Sequence, residues 1–309
     1  MNDPTVATTA GAVPPHRLYR RIIEVTGVRQ LGLVALALAI AALAAAPLEL
    51  QKTIVNGLAE TMTVEELVRL SAVYAGVVLL VAGLKLALGY GVARTGDYAT
   101  RYIRRRLLDR DADREPLARG TLVTMLTSEA ETIGGFAGTA FALPVVQAGT
   151  LLSVLAFITA SQPMLGLVAL FVVAPQAFIV LAVQRRVTAL VRGRVRLIQR
   201  ASDGLVAGDE APAGGSRRDF DDVYDVQRRI NRLKQGSKFA LNALSTLGLV
   251  ATLALGGWLV LQGSTDVGTV VAALGGLARI AKPWSDLVAF YRQWSVVGAR
   301  FDMMLTRLR

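Results

Sequence analysis

The sequence contains no cysteine and only one histidine, His16. The absence of cysteine excludes disulfide bonds, thiol nucleophiles and cysteine-based metal sites. A single histidine excludes zinc sites built on several histidines, and it disfavours an enzyme that relies on histidine for acid–base catalysis. Disulfide-rich proteins and zinc enzymes are therefore set aside at the outset.

Charged and aromatic residues are also scarce, at 18% and 6% of the 309 residues. Soluble domains carry about 25% charged residues. In this chain hydrophobic residues make up 53%, and the mean hydropathy is +0.47. Alanine, leucine, valine and glycine replace the missing charges, which is the composition of a membrane protein.

Long stretches without charge mark candidate membrane spans. Residues 31–48 carry no charge, residues 70–93 contain only Lys85, and residues 132–184 form a charge-free run of 53 residues. A helix needs ~20 apolar residues to cross the hydrocarbon core, so the longest run fits two helices. Open strands leave backbone groups unsatisfied in lipid, and the alternation of a barrel is absent. The sequence therefore predicts an all-α polytopic membrane protein with six transmembrane helices, at about residues 30–50, 68–93, 133–159, 164–184, 240–262 and 267–288.

Lysine and arginine are distributed unevenly between the connections of these spans. They are abundant before the first span, between the second and third, and between the fourth and fifth, whereas the other connections are poor in them. Basic residues mark cytoplasmic connections, so we expect both termini in the cytoplasm, and the protein in a bacterial inner (plasma) membrane. The same loops account for most of the net charge of +11, so we expect no nucleic-acid partner.

The N-terminal residues precede the membrane part. Residues 1–15 are rich in proline, threonine and alanine and are predicted to form a disordered lead. Residues 16–28 place apolar and arginine side chains on opposite faces of a helix, which predicts an interfacial elbow helix along the cytoplasmic surface. Residues 16–309 are then expected to form one transmembrane domain.

Two long connections, at about residues 94–132 and 185–238, lie on the predicted cytoplasmic side. Apolar residues continue into both at helical spacing, so we expect the spanning helices to project beyond the membrane. Their polar tips favour docking of a partner, with a plain solvated stalk as the alternative. The candidate docking residues are Asp111, Asp113, Arg114 and Glu115 at the first tip, and Asp209, Glu210, Arg217 and Arg218 at the second.

Four ionisable residues fall within the predicted spans, namely Lys85, Arg279, Lys282 and Asp286. The last three have i, i+3, i+7 spacing and share one helix face. A charge in mid-bilayer costs ~2.5–3.5 kcal/mol on insertion scales, so such residues usually face an interior or a water-filled cavity. One hypothesis is a cationic patch that attracts an anionic or amphiphilic substrate. Alternatively, Asp286 pairs with Lys282 or Arg279 in a structural role, or the long side chains reach back to the inner interface.

A G-x-x-x-G pattern is formed by Gly134 and Gly138 in the third predicted span. Small residues at this spacing allow two helix backbones to approach closely. We interpret the pattern as close packing between helices, with dimerisation as the alternative.

Together these features resemble the transmembrane domain of an ATP-binding-cassette (ABC) exporter of the type IV fold, and the resemblance covers residues 16–309. Residues 119–133 are similar to the family's stretch after its first coupling helix. Val267-Gly268-Thr269-Val270 opens the last span, Pro283 lies within it, and Ala299-Arg300-Phe301 precedes the family's usual exit to a nucleotide-binding domain. Met125 stands where the family often has arginine, and the first tip lacks the family's aromatic pair.

The resemblance also implies partners. Six helices form half of a translocation pathway in this family, so a homodimer or heterodimer with a second transmembrane half is implied. The chain has no G-x-x-x-x-G-K-[ST] phosphate loop. We therefore expect ATP and Mg to be bound by an ABC ATPase subunit or by a C-terminal nucleotide-binding domain outside this sequence. No catalytic residue, cofactor or metal site is expected on this chain.

Three functions are compatible with this pattern. The first is the membrane subunit of an ATP-driven exporter, which forms half of the substrate pathway and is coupled to ATPase domains through the two cytoplasmic loops. The second is a non-transporting membrane scaffold or regulator with the same fold. The third, a membrane-embedded enzyme, is disfavoured because no paired carboxylates, histidine cluster or nucleophile–base set lies at a common depth. An ATPase gene beside this one would favour transport.

Overall fold

A computed structural model describes residues 15–113, 119–206 and 214–307. These residues form helices joined by short turns, so the predicted all-α class is confirmed. The helices are α1 Pro15–Thr26, α2 Val28–Ala42, α3 Ala46–Ala59, α4 Val64–Asp113, α5 Arg119–Thr124, the π-helix π1 Met125–Glu129, α6 Ala130–Thr139, α7 Ala142–Ser161, α8 Pro163–Val206, α9 Gly214–Leu261 and α10 Val267–Arg307.

Five stretches of the described residues are long and apolar enough to cross a membrane. They are Val28–Ala59, Val64–Asp109, Leu122–Ser161, Pro163–Val191 and Asp221–Leu261. The helix α10 is not among them, because Arg279 and Lys282 interrupt its apolar part. The sixth predicted span therefore stays a prediction, while the polytopic membrane architecture is supported by the other five.

The longest helices exceed the thickness of a bilayer. α4 has 50 residues, α8 has 44 and α9 has 48. At ~1.5 Å per residue, 50 residues extend ~75 Å, whereas the hydrocarbon core is ~30 Å thick. Each of these helices therefore continues well outside the lipid, as the apolar periodicity of the two long connections predicts.

The first apolar stretch is interrupted rather than continuous. α2 ends before Leu43, and α3 begins at Ala46 with Pro47 in its first turn. Proline disfavours a helical conformation in the residue before it and cannot donate a hydrogen bond to the preceding turn. The helix then runs on to Ala59, beyond the predicted end of the first span at residue 50, so most of the predicted outer connection is helical.

The start of α4 is fixed by a reciprocal cap. The backbone N–H of Glu66 donates to Oγ1 of Thr63 at 3.2 Å, and the backbone N–H of Thr63 donates to Oε2 of Glu66 at 3.1 Å. This capping box satisfies two donors that would otherwise lack a partner at the helix end. The sequence Thr-Val-Glu-Glu therefore sets the beginning of the long helix.

The helices form two compact units. The first contains the chain up to Phe157 together with the residues from Lys282 onward, and the second is Ile158–Ala281. The apolar face of α1 is buried in the core of the first unit, against α4, π1, α6 and the end of α10. That core consists of Leu18, Ile22, Ala99, Leu107, Met125, Ile133, Phe136, Ala137, Ala140, Val297 and Phe301.

The helix α1 is amphipathic, as predicted. Arg20 and Arg21 are exposed, and each forms a 3.0 Å ion pair with Glu24. Tyr19 packs edge-on against Phe141, with ring centroids 5.3 Å apart. Burial raises the pKa of the Tyr19 phenol, so this group stays protonated and neutral at physiological pH.

The second unit is built on the pairing of α8 with α9. Nε2 of Gln176, which is buried, donates to Oγ of Ser245 at 2.9 Å. Gly248 faces the side chain of Val172 at close range, so a larger residue there would separate the helices. An interhelical hydrogen bond and a small residue are two of the features that hold apolar helices together in lipid.

Candidate functional site

One carboxylate oxygen in the first unit accepts hydrogen bonds from two other side chains. Asp286 on α10 accepts a hydrogen bond from Nε2 of Gln147 on α7 at 3.0 Å and from Nζ of Lys282 at 3.2 Å. Both bonds end on Oδ2, and Lys282 stands one helical turn before Asp286. The carboxylate therefore offsets one ammonium charge and also ties α10 to α7.

The three cations of the predicted charged set are accessible. The Lys282 side chain is 83% exposed, whereas that of Asp286 is 29% exposed. An ammonium group has three donors, and Lys282 uses one of them on Asp286. Lys85 on α4 and Arg279 on α10 are exposed, and across residues 15–113, 119–206 and 214–307 neither forms a hydrogen bond or an ion pair.

The structure thus brings together only part of the predicted charged set. Lys282 and Asp286 form the ion pair that was one of the structural alternatives. Lys85 belongs to the first unit and Arg279 to the second. The substrate role of these charges stays a prediction, since an exposed cation is equally compatible with a cavity and with a solvated surface.

Half of the predicted docking residues lie outside the described part of the chain. Asp111 and Asp113 lie in the last turn of α4, and Arg217 and Arg218 lie in the first two turns of α9. Arg114, Glu115, Asp209 and Glu210 fall outside the described residues. The docking role of these two tips therefore stays a prediction.

A second polar cluster surrounds the π-helix. Nε of Arg104 on α4 donates to the carbonyl oxygen of Leu126 at 2.7 Å. Nη1 of Arg300 on α10 donates to Oγ1 of Thr132 at 2.8 Å and lies 3.5 Å from Oγ of Ser128. We call Met125–Thr132 and these two arginines the arginine clamp. The clamp joins three helical segments that are far apart in the sequence.

The sequence patterns assign no individual function to Gln147, Arg104 or Arg300. Gln147 lies inside the charge-free run and carries no charge, so a search for charged residues passes over it. Arg104 is one of several basic residues between the second and third predicted spans, and Arg300 belongs to the pattern Ala299-Arg300-Phe301 near the end of the sequence. A search for any side chain with several polar donors within an apolar run would have found Gln147.

Gly134 and Gly138 pack against α4 within the same unit. A Cβ atom on Gly138 would meet the Val92 carbonyl oxygen and lie 3.1 Å from the backbone nitrogen of Gly96. A Cβ atom on Gly134 would lie 2.6 Å from the backbone nitrogen of Thr100. The G-x-x-x-G pattern therefore serves close packing inside the chain, the interpretation that we favoured over dimerisation.

Comparison with protein families identifies this arrangement. The model of the ABC transporter transmembrane region matches residues 30–194. This match covers more than half of the chain and extends from α2 to residue 194 within α8. The chain belongs to this family. As an ABC transporter transmembrane region, it corresponds to the membrane-embedded part of a transporter, which is not itself the catalytic part.

Two curated relatives match this chain over a short segment. A multidrug efflux ATP-binding/permease protein of Mycobacterium bovis (strain BCG) is 43% identical over 65 residues, and one of Mycobacterium tuberculosis is equally similar. The matched segment is 21% of this chain and 5% of each relative. The chain therefore spans only a small share of the curated relatives that it matches.

Proposed function

We propose that this ABC transmembrane region is the membrane subunit of an ATP-driven exporter and forms half of a substrate pathway. The observation that carries the proposal is the family match over residues 30–194. The names of the two relatives, which combine efflux with an ATP-binding part and a permease part, support the direction of transport. A second transmembrane half, either another copy or a related chain, completes the pathway.

The energy source belongs to a partner. The sequence has no phosphate loop, so ATP and Mg are bound by an ABC ATPase subunit or by a nucleotide-binding domain that follows this region in a longer chain. The two cytoplasmic loops receive the movement of that ATPase. Both termini face the cytoplasm of a bacterial cell and the helices lie in its inner membrane, because the connections rich in lysine and arginine are on the side of the termini.

The substrate site is proposed at the membrane-depth cations. Lys85 and Lys282 are exposed within the single chain, and Arg279 precedes Lys282 by one helical turn. Exposed cations at this depth are costly against lipid. We assign them to the water-filled pathway, where they attract an anionic or amphiphilic substrate. The carboxylate of Asp286 compensates one of the three positive charges, that of Lys282. It also fixes α10 against α7 through its hydrogen bond with Gln147.

Reconstitution tests the transport function directly. The chain is purified from its native membrane with any ABC ATPase that remains bound, and the complex is placed in proteoliposomes. We expect ATP-dependent movement of a dye across the bilayer and ATP hydrolysis that rises with substrate. An ATPase-bound complex that hydrolyses ATP but moves no member of a panel of anionic, cationic and neutral dyes would instead support the scaffold hypothesis.

The charge of the substrate is tested by removing the cations. Replacing Lys85 and Lys282 by methionine keeps an unbranched side chain of similar size at each position and removes its charge. We expect transport of the anionic dye carboxyfluorescein to fall about tenfold, because a hydrogen bond to a charged group contributes ~1.5–3 kcal/mol. A cationic dye of similar size should be affected less.

Lys234→Met provides the matched control, since Lys234 is exposed on α9 outside the predicted spans. It should leave transport of both dyes unchanged. If the Lys85→Met and Lys282→Met double variant moves carboxyfluorescein as fast as the unaltered chain, the cationic pathway is wrong, while the transport function itself remains supported by the unaltered complex.

A further inference from the structure

The arginine clamp holds one short segment from two sides. Arg104 reaches this segment from α4, and Arg300 reaches it from α10. The segment Met125–Glu129 is a π-helix inside an otherwise α-helical stretch. π-Helical insertions are rare and change the hydrogen-bonding partners of nearby carbonyl groups. A feature of this kind needs contacts from outside the helix to hold it in place.

The contact of Arg104 is made to the backbone. Its Nε donates to the Leu126 carbonyl oxygen at 2.7 Å, while its Nη2 lies 3.9 Å from Oε2 of Glu131. A charged donor forms a stronger hydrogen bond with a carbonyl group than a neutral donor does. Arg104 therefore fixes the backbone of the π-helix to α4 and does not depend on the side chain at position 126.

The hydrogen bond between Arg300 and Thr132 has a fixed donor and a fixed acceptor. Oγ1 of Thr132 donates its proton to the Ser128 carbonyl oxygen at 2.7 Å, which leaves its lone pairs to accept from Nη1 of Arg300 at 2.8 Å. The nearby Ser128 hydroxyl lies 3.5 Å from the same nitrogen. Both contacts therefore involve Nη1 of Arg300. A side chain with one charged donor at position 300 is sufficient to form them.

Apolar packing supports the polar contacts. Met125 and Val297 are fully buried, Ile133 is 3% exposed and Phe301 is 6% exposed, and all four belong to one core. The rings of Phe136 on α6 and Phe290 on α10 stack with their centroids 5.5 Å apart. Close-packed side chains resist sliding past one another. Apolar contacts on both sides of Arg300 therefore help to hold the end of α10 against the segment Met125–Thr132.

We propose that Arg300 is a positioning residue that makes the segment after the first cytoplasmic tip and the end of α10 move as one rigid body. This inference rests on the proposed transport function, because it concerns how movement of the ATPase is passed on. The segment begins at Arg119 in the described chain, directly after the first tip, and α10 leads to the C-terminal end of the domain. A displacement received at the tip is thereby passed to α10. Through α10 it reaches the helical turn that contains Lys282 and Asp286, and the bond between Asp286 and Gln147 passes it on to α7.

Uncoupling is the functional consequence to measure. Arg300→Gln, assayed in the reconstituted complex with its ATPase, should lower carboxyfluorescein transported per ATP about 3- to 10-fold, with ATP hydrolysis within about twofold of the unaltered complex. Arg300→Lys retains one charged donor and should restore most of the ratio. Arg292→Gln is the matched control, since Arg292 is an exposed arginine of α10 that forms no hydrogen bond or ion pair with the described residues.

Rigidity is measured separately, and the lack of cysteine makes this simple. Thr127→Cys and Val296→Cys introduce two exposed labelling positions, one in the segment Met125–Thr132 and one on α10, four residues before Arg300. Paired spin labels should give one narrow distance distribution that is the same with and without ATP, and Arg300→Gln should broaden it. This readout does not require transport, so it separates the clamp from the proposed function.

Two results would overturn the inference. One is a label distance that changes between the ATP-free and ATP-bound complex, because the clamp would then open during the cycle. The other is an Arg300→Gln variant with a normal ratio of transport to ATP hydrolysis. If the unaltered complex moves no dye but the label distance is narrow and depends on Arg300, the transport function fails while the rigid body stands.

Discussion

Replacing Gly138 by alanine is expected to destabilise the protein by ~2–3 kcal/mol, which lowers its melting temperature in detergent by roughly 5–10 °C. The new methyl group would meet the Val92 carbonyl oxygen and would lie 3.1 Å from the backbone nitrogen of Gly96. Neither backbone can turn aside as a side chain does, so α6 and α4 must separate. Helices in lipid associate by close packing and not by exclusion of water, so the lost contacts are not compensated by another apolar surface.

Gly135 offers a matched control within the same motif. A Cβ atom on Gly135 meets nothing within 4 Å, and alanine is ~1 kcal/mol more favourable than glycine within a helix. Gly135→Ala should therefore keep or raise the melting temperature, measured by intrinsic fluorescence during a thermal ramp. Equal melting temperatures for Gly138→Ala and the unaltered protein would show that the close approach of α4 and α6 is not required for the fold.

The long helices can be predicted from the sequence because lipid restricts which structures can cross a membrane. A span must be apolar for ~20 residues and must satisfy its own backbone, so charge-free runs locate α2, α4, α7, α8 and α9 directly. The interruption at residues 43–45 was not predicted, although Pro47 signals it. The predicted first span ends at about residue 50, whereas the chain resumes a helix at Ala46, with Pro47 in its first turn, and continues to Ala59.

The candidate site was less predictable than the fold. The Lys282–Asp286 pair follows from i, i+4 spacing on one helix, and it was among the alternatives. The bond between Gln147 and Asp286 joins residues 139 positions apart, and no local pattern specifies such a contact. The π-helix is held by Arg104 and Arg300 from other helices, so it is a tertiary feature without its own sequence signal.

Polar contacts cluster within the first unit, where the part of α10 after Lys282 packs against α6 and α7. Asp286 contacts Gln147 on α7, and Arg300 contacts Thr132 on α6. Between them lies the stacked pair of Phe136 and Phe290. In an apolar bundle, hydrogen-bonded contacts specify which helices are neighbours, whereas leucine and valine surfaces are nearly interchangeable. The few polar side chains of this chain therefore carry much of the information that fixes α10 in place.

Replacement of both cytoplasmic tips by glycine–serine linkers of equal length is expected to abolish coupled transport. The altered segments are residues 109–118 and 207–218, which include the acidic and basic residues proposed to dock the ATPase. Coupling free energies between sites are typically ~1–3 kcal/mol, or about 5- to 150-fold, and a flexible linker cannot transmit a displacement. We therefore expect ATP-dependent transport of carboxyfluorescein by proteoliposomes to fall at least about tenfold, to the level of passive leak.

The control for this experiment is a linker placed at the other end of the helices. Residues 262–265 connect α9 to α10, and Gly263 there has a positive φ of 72° that a glycine–serine linker retains. Asp266 is kept because its carboxylate accepts from the Thr269 N–H at 2.6 Å and caps α10. This variant should transport normally. If the tip variant transports as well as the control, ATPase movement must enter the membrane domain by a route other than the two tips, and the long extensions of α4, α8 and α9 would then need a different explanation.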